Sequence, residues 1–242
     1  MKKIAIITIY CFLYTASLAL SLNYEELYSR FVVARSSEDA TKMIQILEIL
    51  EEGEKTLSSP KLLTLLADCY RELGIWGKEK ERVKALEKAM DYACLSITRF
   101  ECHYAYFVAG DAIGRLAEKR KSLYLLKKFD FYMGKAIELL PDDPRPLIAM
   151  GDKYMQSPWP IRNYQLAEIY FQKALKVDPN DIEACVKLAL LYERVKDPKR
   201  IKKYLLLALS LPTRDEWVEK DSKLKELSAT MLVMLLASES SH

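Results

Sequence analysis

The residues that could carry chemistry here are two histidines, a handful of cysteines and several paired carboxylates. His103 sits in ECHYAYF, between aromatics, which suits a buried or half-buried structural histidine; His242 is terminal. A catalytic triad or a histidine-rich metal site therefore has little to draw on. No CxxC, Walker-type glycine loop or GxGxxG occurs. The pairs Asp142–Asp143 and Asp178/Asp181 stand at helix starts, where negative charge complements the helix dipole. The expectation is a protein with no catalytic residues, no metal site and no cofactor. A hydrolase using an acidic cluster stays as an alternative; it requires two carboxylates of raised pKa facing one pocket.

Ala, Leu, Lys and Glu dominate, and there are only 7 glycines in 242 residues, a composition that favours helix. The N-terminus, MKKIAIITIYCFLYTASLALSLN, has two lysines, an apolar run and small residues at Ala19 and Ser21. That is the pattern of a secretory signal peptide, with cleavage expected after Ser21. An uncleaved anchor is the alternative, since the run is about long enough to span a bilayer. Losing Lys2 and Lys3 lowers the formal net charge from +3 to +1, too weak a basic field for nucleic acid. The expected location is the periplasm or another extracytoplasmic space of a bacterium. Four cysteines follow residue 21: Cys69, Cys94, Cys102 and Cys185. An oxidising compartment permits disulfides, but each cysteine lies among apolar neighbours, as a buried small hydrophobe would.

The elements that must position any site emerge from an internal period. FYMGKAIELLPDD, YFQKALKVDPND and LLLALSLPTRD align, with Ala136, Ala174 and Ala208 spaced 38 and 34 apart and Pro141, Pro179 and Pro212 following. LIAMGDKYM aligns with CVKLALLYE, matching Gly151 to Ala189 and Tyr154 to Tyr192. Each unit is two helices. Small residues let the backbones approach, an aromatic fills the gap beside them, and the proline ends the second helix. The clearest units are 101–141, 145–179 and 182–212. KLLTLLADCYREL with EKERVKALEKAMDYACL, and NYEELYSRFVVA with DATKMIQILEILEEGEK, read as two earlier helix pairs, with Ser37 or Asp39 as N-cap of the latter. DSKLKELSATMLVMLLAS places Leu224, Leu227, Met231 and Met234–Leu235 at helical spacing, a closing helix over about 221–237 or a contact between subunits of a homo-oligomer.

On Leu147, Met150–Gly151, Tyr154, Ala167, Phe171, Ala174 and Pro179 the chain resembles the tetratricopeptide repeat family. The resemblance implies an all-α, right-handed solenoid of antiparallel helix pairs with a C-terminal capping helix, residues 22–242 forming one domain. Over about residues 100–212 a narrower pattern appears: Gly114-Arg115-Leu116-Ala117, a Pro-containing insertion before Leu166-Ala167-Glu168, and the ending VDPND. It looks like the T component associated with some bacterial TRAP-type transporters. Similar insertions occur in repeat proteins related to regulators of microtubule dynamics, a eukaryotic group that a bacterial export signal does not suit. The transporter likeness implies an extracytoplasmic scaffold that pairs with a solute-binding protein and handles a small, apolar ligand.

The insertion, MQSPWPIRNY, lengthens the turn inside one helix pair; its prolines stiffen it and Asn163 can cap the next helix. Trp159 either staples this loop onto a neighbouring repeat or lines a groove rim. Candidate contacts for a ligand or partner are Tyr104, Asp111 and Arg115, the latter two four residues apart on one helix. Asp152, Met155, Trp159 and Arg162 complete the set. Tyr106 and Tyr124 could also line a groove or pack between helices. The lysine-rich EKRKSLYLLKK reads as a solvated helix face. The function expected is a non-enzymatic binding scaffold, with a generic cell-envelope assembly or protein-docking factor as the alternative.

Overall fold

The computed structural model describes residues 23–53, 58–100 and 102–239; the N-terminal leader and its cut after Ser21 lie outside them. The described chain is helical: α1 Tyr24–Ser36, α2 Ala40–Glu52, α3 Pro60–Trp76, α4 Glu79–Phe100, α5 His103–Arg120, α6 Leu123–Leu139, α7 Arg145–Gln156, α8 Tyr164–Val177, α9 Ile182–Arg194, α10 Pro198–Ser210 and α11 Val218–Glu239. A 3-10 turn, Asp215–Trp217, precedes α11. The expected all-α, tetratricopeptide-like fold is what forms. No helix among the described residues is long and apolar enough to cross a membrane.

Local chemistry sets the boundaries. Asp39 caps α2 by accepting from the Thr41 and Lys42 amides, while Ser37 closes α1. Asn163 and Asp181 cap α8 and α9 in the same way. Each satisfies an amide that the first helical turn leaves unpaired. Consecutive helices pair through two- or three-residue turns at 37–39, 77–78, 121–122 and 195–197, but α7 and α8 are joined by seven residues, 157–163.

Within pairs, small residues set the spacing. A Cβ on Gly151 would collide with the Phe171 ring, and one on Gly114 would fall 2.7 Å from that of Phe129. Ala67, Ala136, Ala167, Ala174, Ala189 and Ala208 are all fully buried at these seams. The paired tyrosines recur as stacks: Tyr70–Tyr92, Tyr154–Tyr170 and Tyr192–Tyr204, with centroids 5.5–5.9 Å apart.

The odd-numbered helices α1, α3, α5, α7, α9 and α11 each contact the next in that series, whereas the even-numbered helices meet only their flanking odd ones. The odd helices therefore form the inner layer and the even ones an outer layer. On α11, Leu224, Met231 and Leu235 pack inward. Leu227 and Met234, expected on the same face, are exposed instead. The last turns of the solenoid reach back to the first helix, because Trp217 contacts Arg35 of α1 and Lys223 pairs with Glu38 in the turn after it.

Candidate functional site

A run of polar ties crosses the inner layer, at least one between each pair of neighbouring helices from α3 onward. From α3, Arg71 donates to Asp111 on α5 at 3.0 Å. Tyr104 of α5 accepts from Arg145 of α7 at 3.1 Å and donates to Asp68 of α3 at 2.8 Å. Lys187 of α9 donates to Asp152 of α7 at 2.6 Å. Lys220 of α11 donates to Glu183 of α9 at 2.5 Å. Lys223 of α11 then pairs with Glu38, beside α1, at 2.6 Å.

Arg71 is the most enclosed member. Its guanidinium donates to Asp68 at 2.7 Å, Glu72 at 2.5 Å and Asp111 at 3.0 Å, and the Arg71, Asp68 and Glu72 side chains are almost wholly buried. Trp76 Nε1 donates to the second oxygen of Glu72 at 3.0 Å. A buried charge must be paired in this way to be tolerated.

The titration of these groups follows from their neighbours. Burial pushes the Asp111 carboxyl up, but Arg115 and Arg71 outweigh it and bring the pKa to about 2. Burial likewise raises Glu183, and Lys220 with Lys187 bring it to about 2. Asp152 stays above the usual carboxylate range because burial outweighs Lys187. Lys187 is itself raised, since Asp152 and Glu183 outweigh its burial. Both members move up because burial dominates at Asp152, with Glu183 adding to it against Lys187 and Arg115, whereas at Lys187 the two carboxylates outweigh burial and Arg115.

Four candidates from the sequence, Tyr104, Asp111, Arg115 and Asp152, come together on this face. Arg115 uses Nε on Asp111 at 3.0 Å, keeps 39 % of its side-chain exposure and has no hydrogen bond from either Nη among the described residues. It is a preoriented cation with a free fork. The other candidates fall elsewhere. Met155 packs into the core between α7 and its neighbours. Arg162 folds back onto the Ser157 carbonyl at 2.9 Å and lines an outer cleft with Glu168 and Arg200. Trp159 stands 85 % exposed. The expected staple is not made, because the ring is turned to solvent rather than packed on another repeat. His103 is exposed rather than buried, because it opens α5 outside the aromatic seam. Tyr124 lies exposed on outer helix α6, beneath Lys128 at 5.0 Å, and lines no groove. Tyr106 packs tilted against Tyr132.

The sequence reading passed over Asp68, Arg71, Arg145, Glu183, Lys187 and Lys220. A signal for the first was present: a small residue followed by Asp recurs as Ala67-Asp68, Gly110-Asp111 and Gly151-Asp152. That register places each aspartate beside the close-approach residue of an inner helix. The two raised carboxylates, Asp152 and Asp181, do not share a pocket pair of the kind a hydrolase needs, because Lys187 holds one and Arg214 the other. Among the described residues no group of three or more His, Cys, Asp and Glu side chains could hold a metal ion. The four cysteines are free, with Cys69 and Cys185 buried.

Helix pairs stacked in register, with small residues at the seams and a charged inner face, define a tetratricopeptide-type protein-interaction scaffold. Residues 159–181 match the tetratricopeptide repeat profile. The structure of a thermophilic TPR protein from Thermus thermophilus superposes with a TM-score of 0.64 over 86 % of this chain and 99 % of its own, at 17 % identity. The profile of the family described as regulator of microtubule dynamics protein 1-3 matches residues 30–156, more than half the chain, and the chain belongs to that family. The mouse regulator of microtubule dynamics protein 1 is 25 % identical over 237 residues, covering 87 % of this chain and 74 % of the relative. The Pongo abelii protein of the same name is 24 % identical over 234 residues, covering 86 % and 71 %. The group that the export-type N-terminus argued against is thus the one whose profile fits.

Proposed function

We propose that this chain is a non-enzymatic docking scaffold whose inner face takes a partner polypeptide, and that it acts, as its relatives' names describe, in the regulation of microtubule dynamics. The observation that carries the docking reading is the polar run of the inner layer with the free fork of Arg115 on it. Charged groups already fixed by neighbours lose little freedom when a partner arrives, so more of each new contact appears as affinity. A solenoid offers such a face along its whole length. In a turbidity assay of microtubule assembly, the full chain should change the rate of polymerisation. Arg115→Glu, with unchanged helical circular dichroism, should lose the effect. A chain without effect, or an undiminished Arg115→Glu variant, would sink this reading.

The second reading is the transporter scaffold: exported, paired with a solute-binding protein, and handling a small apolar ligand. The seven-residue loop at 157–163 and Gly114-Arg115-Leu116-Ala117 support it. The ion-paired inner face counts against an apolar ligand there, since burying these groups under hydrocarbon removes their remaining water. A cell-envelope assembly factor differs from this only in its partner. N-terminal sequencing of the chain from its own cells separates the two locations. A start at Leu22 favours export, and retention of residues 1–21 favours the microtubule role.

A further inference from the structure

Besides the Lys223–Glu38 pair, the two ends of the solenoid are closed by an arginine. Arg35, on α1, is 4 % exposed. Its guanidinium lies between two rings, 5.1 Å from the centroid of Phe31 and 4.0 Å from that of Trp217. Nη2 donates to Glu216 at 2.8 Å, across 181 residues of sequence. Nε has no hydrogen-bond partner, and it is the buried side-chain polar atom of which this is true among the described residues. Nε and Nη2 share one edge of the guanidinium, the edge that carboxylates engage with both oxygens. Glu216 uses half of that edge. Its own side chain remains 58 % exposed, and Asp215 beside it is exposed too. The bridge is held from behind instead, where Arg214 donates to Asp181 and Asp221 at 2.7 Å each.

An aromatic ring stacked on a buried guanidinium, with a carboxylate on its edge, is a recognition seat for an acidic–aromatic segment. We propose that the Phe31–Arg35 seat binds such a segment of a partner protein, and that Asp215-Glu216-Trp217 fills it in cis as a competing internal ligand. A partner segment that satisfies both Nε and Nη2 gains a hydrogen bond that the cis segment leaves unmade. Trp217, Glu216, Lys220, Glu183 and Arg145 also wall a cleft of about 450 Å³. Displacing the bridge from Arg35 therefore moves one wall of this cleft, beside the Glu183–Lys220 tie. The proposal specifies partner chemistry for the docking reading, but its test needs neither microtubules nor any identified partner.

The probe is a fluorescein-labelled peptide with the sequence of residues 211–220, LPTRDEWVEK. Fluorescence anisotropy compares the full chain with its Glu216→Gln/Trp217→Ala variant, whose bridge is weakened. The variant should bind the peptide at least tenfold more tightly than wild type. Peptides carrying the Trp-to-Ala or the Glu-to-Gln change should bind the variant at least tenfold more weakly than the parent peptide. Should the double variant lose its helical circular dichroism, Glu216→Gln alone replaces it, since that side chain is mostly exposed. Absence of binding to the folded variant overturns the proposal. So does equal binding by wild type and variant, or indifference to the peptide changes.

Discussion

Replacing Arg71 with Met tests the reasoning about the inner face where the consequences are largest. The methionine fills most of the space but leaves Asp68, Glu72 and Asp111 without the guanidinium that ties them at 2.7, 2.5 and 3.0 Å. Two of the three are only 2 % exposed, so water cannot take over. Breaking a buried ion pair by removing one partner costs about 3–5 kcal/mol. The Tyr104 and Trp76 donors and Arg115 remain in place, so about 3 kcal/mol is the expected loss at pH 7. For a chain of this size that lowers the melting temperature by about 10 °C. The loss should depend on pH in a defined direction. In wild type Asp111 has a depressed pKa of about 2. Its contribution is therefore complete above its ordinary pKa and disappears only as pH falls through about 2. In the variant Asp111 keeps Arg115 but loses Arg71, so its protonation relieves part of the penalty. The difference between the two proteins should then shrink as pH falls from 7 to 4. Urea unfolding followed by circular dichroism at both pH values measures it. A difference under about 1 kcal/mol, or one that does not change with pH, would show that the cluster is not a tightly coupled buried network.

Glu183→Gln should flatten the acid limb of the stability curve. The pKa of about 2 contributes at most about 3 kcal/mol, present above the ordinary value and lost as pH falls through about 2; acid titration monitored by circular dichroism reads it. Gly151→Ala gains about 1 kcal/mol of helix propensity, yet the new methyl drives into the immobile Phe171 ring. A net loss of about 1–2 kcal/mol in urea unfolding is expected, and a net gain would mean the seam is loosely packed. Trp159→Ala should change stability by less than about 0.5 kcal/mol, as at other exposed sites; a larger drop would restore the staple that its 85 % exposure denies.

Most of the fold was legible because the solenoid repeats its chemistry. Alanine, glycine, tyrosine and proline return at fixed intervals, and each marks a seam, a stack or a stop. The inner ties follow the same interval: Arg71 to Asp111 spans 40 residues, Asp152 to Lys187 spans 35, and Glu183 to Lys220 spans 37. They join successive units, and the small-residue–Asp register could have exposed Asp68, Asp111 and Asp152. The basic partners carry no such mark, because lysine and arginine are equally common on solvated faces. Tyr104, Asp111, Arg115 and Asp152 were reachable from sequence. The closure at Arg35 was not, since no repeat interval links residues 181 apart. Trp159 misled because a costly aromatic suggests burial, whereas the ring is left to solvent.

On the proposed docking reading, a partner seats on the inner layer and not on the outer one. Co-sedimentation with polymerised microtubules can place Arg115→Glu beside Lys127→Glu/Lys128→Glu, which reverses exposed charge on outer helix α6. All three proteins, wild type included, should show the same helical circular dichroism. The account predicts that wild type and the α6 variant enter the pellet alike and that Arg115→Glu stays in the supernatant. Loss of binding by the α6 variant with Arg115→Glu unaffected would contradict it.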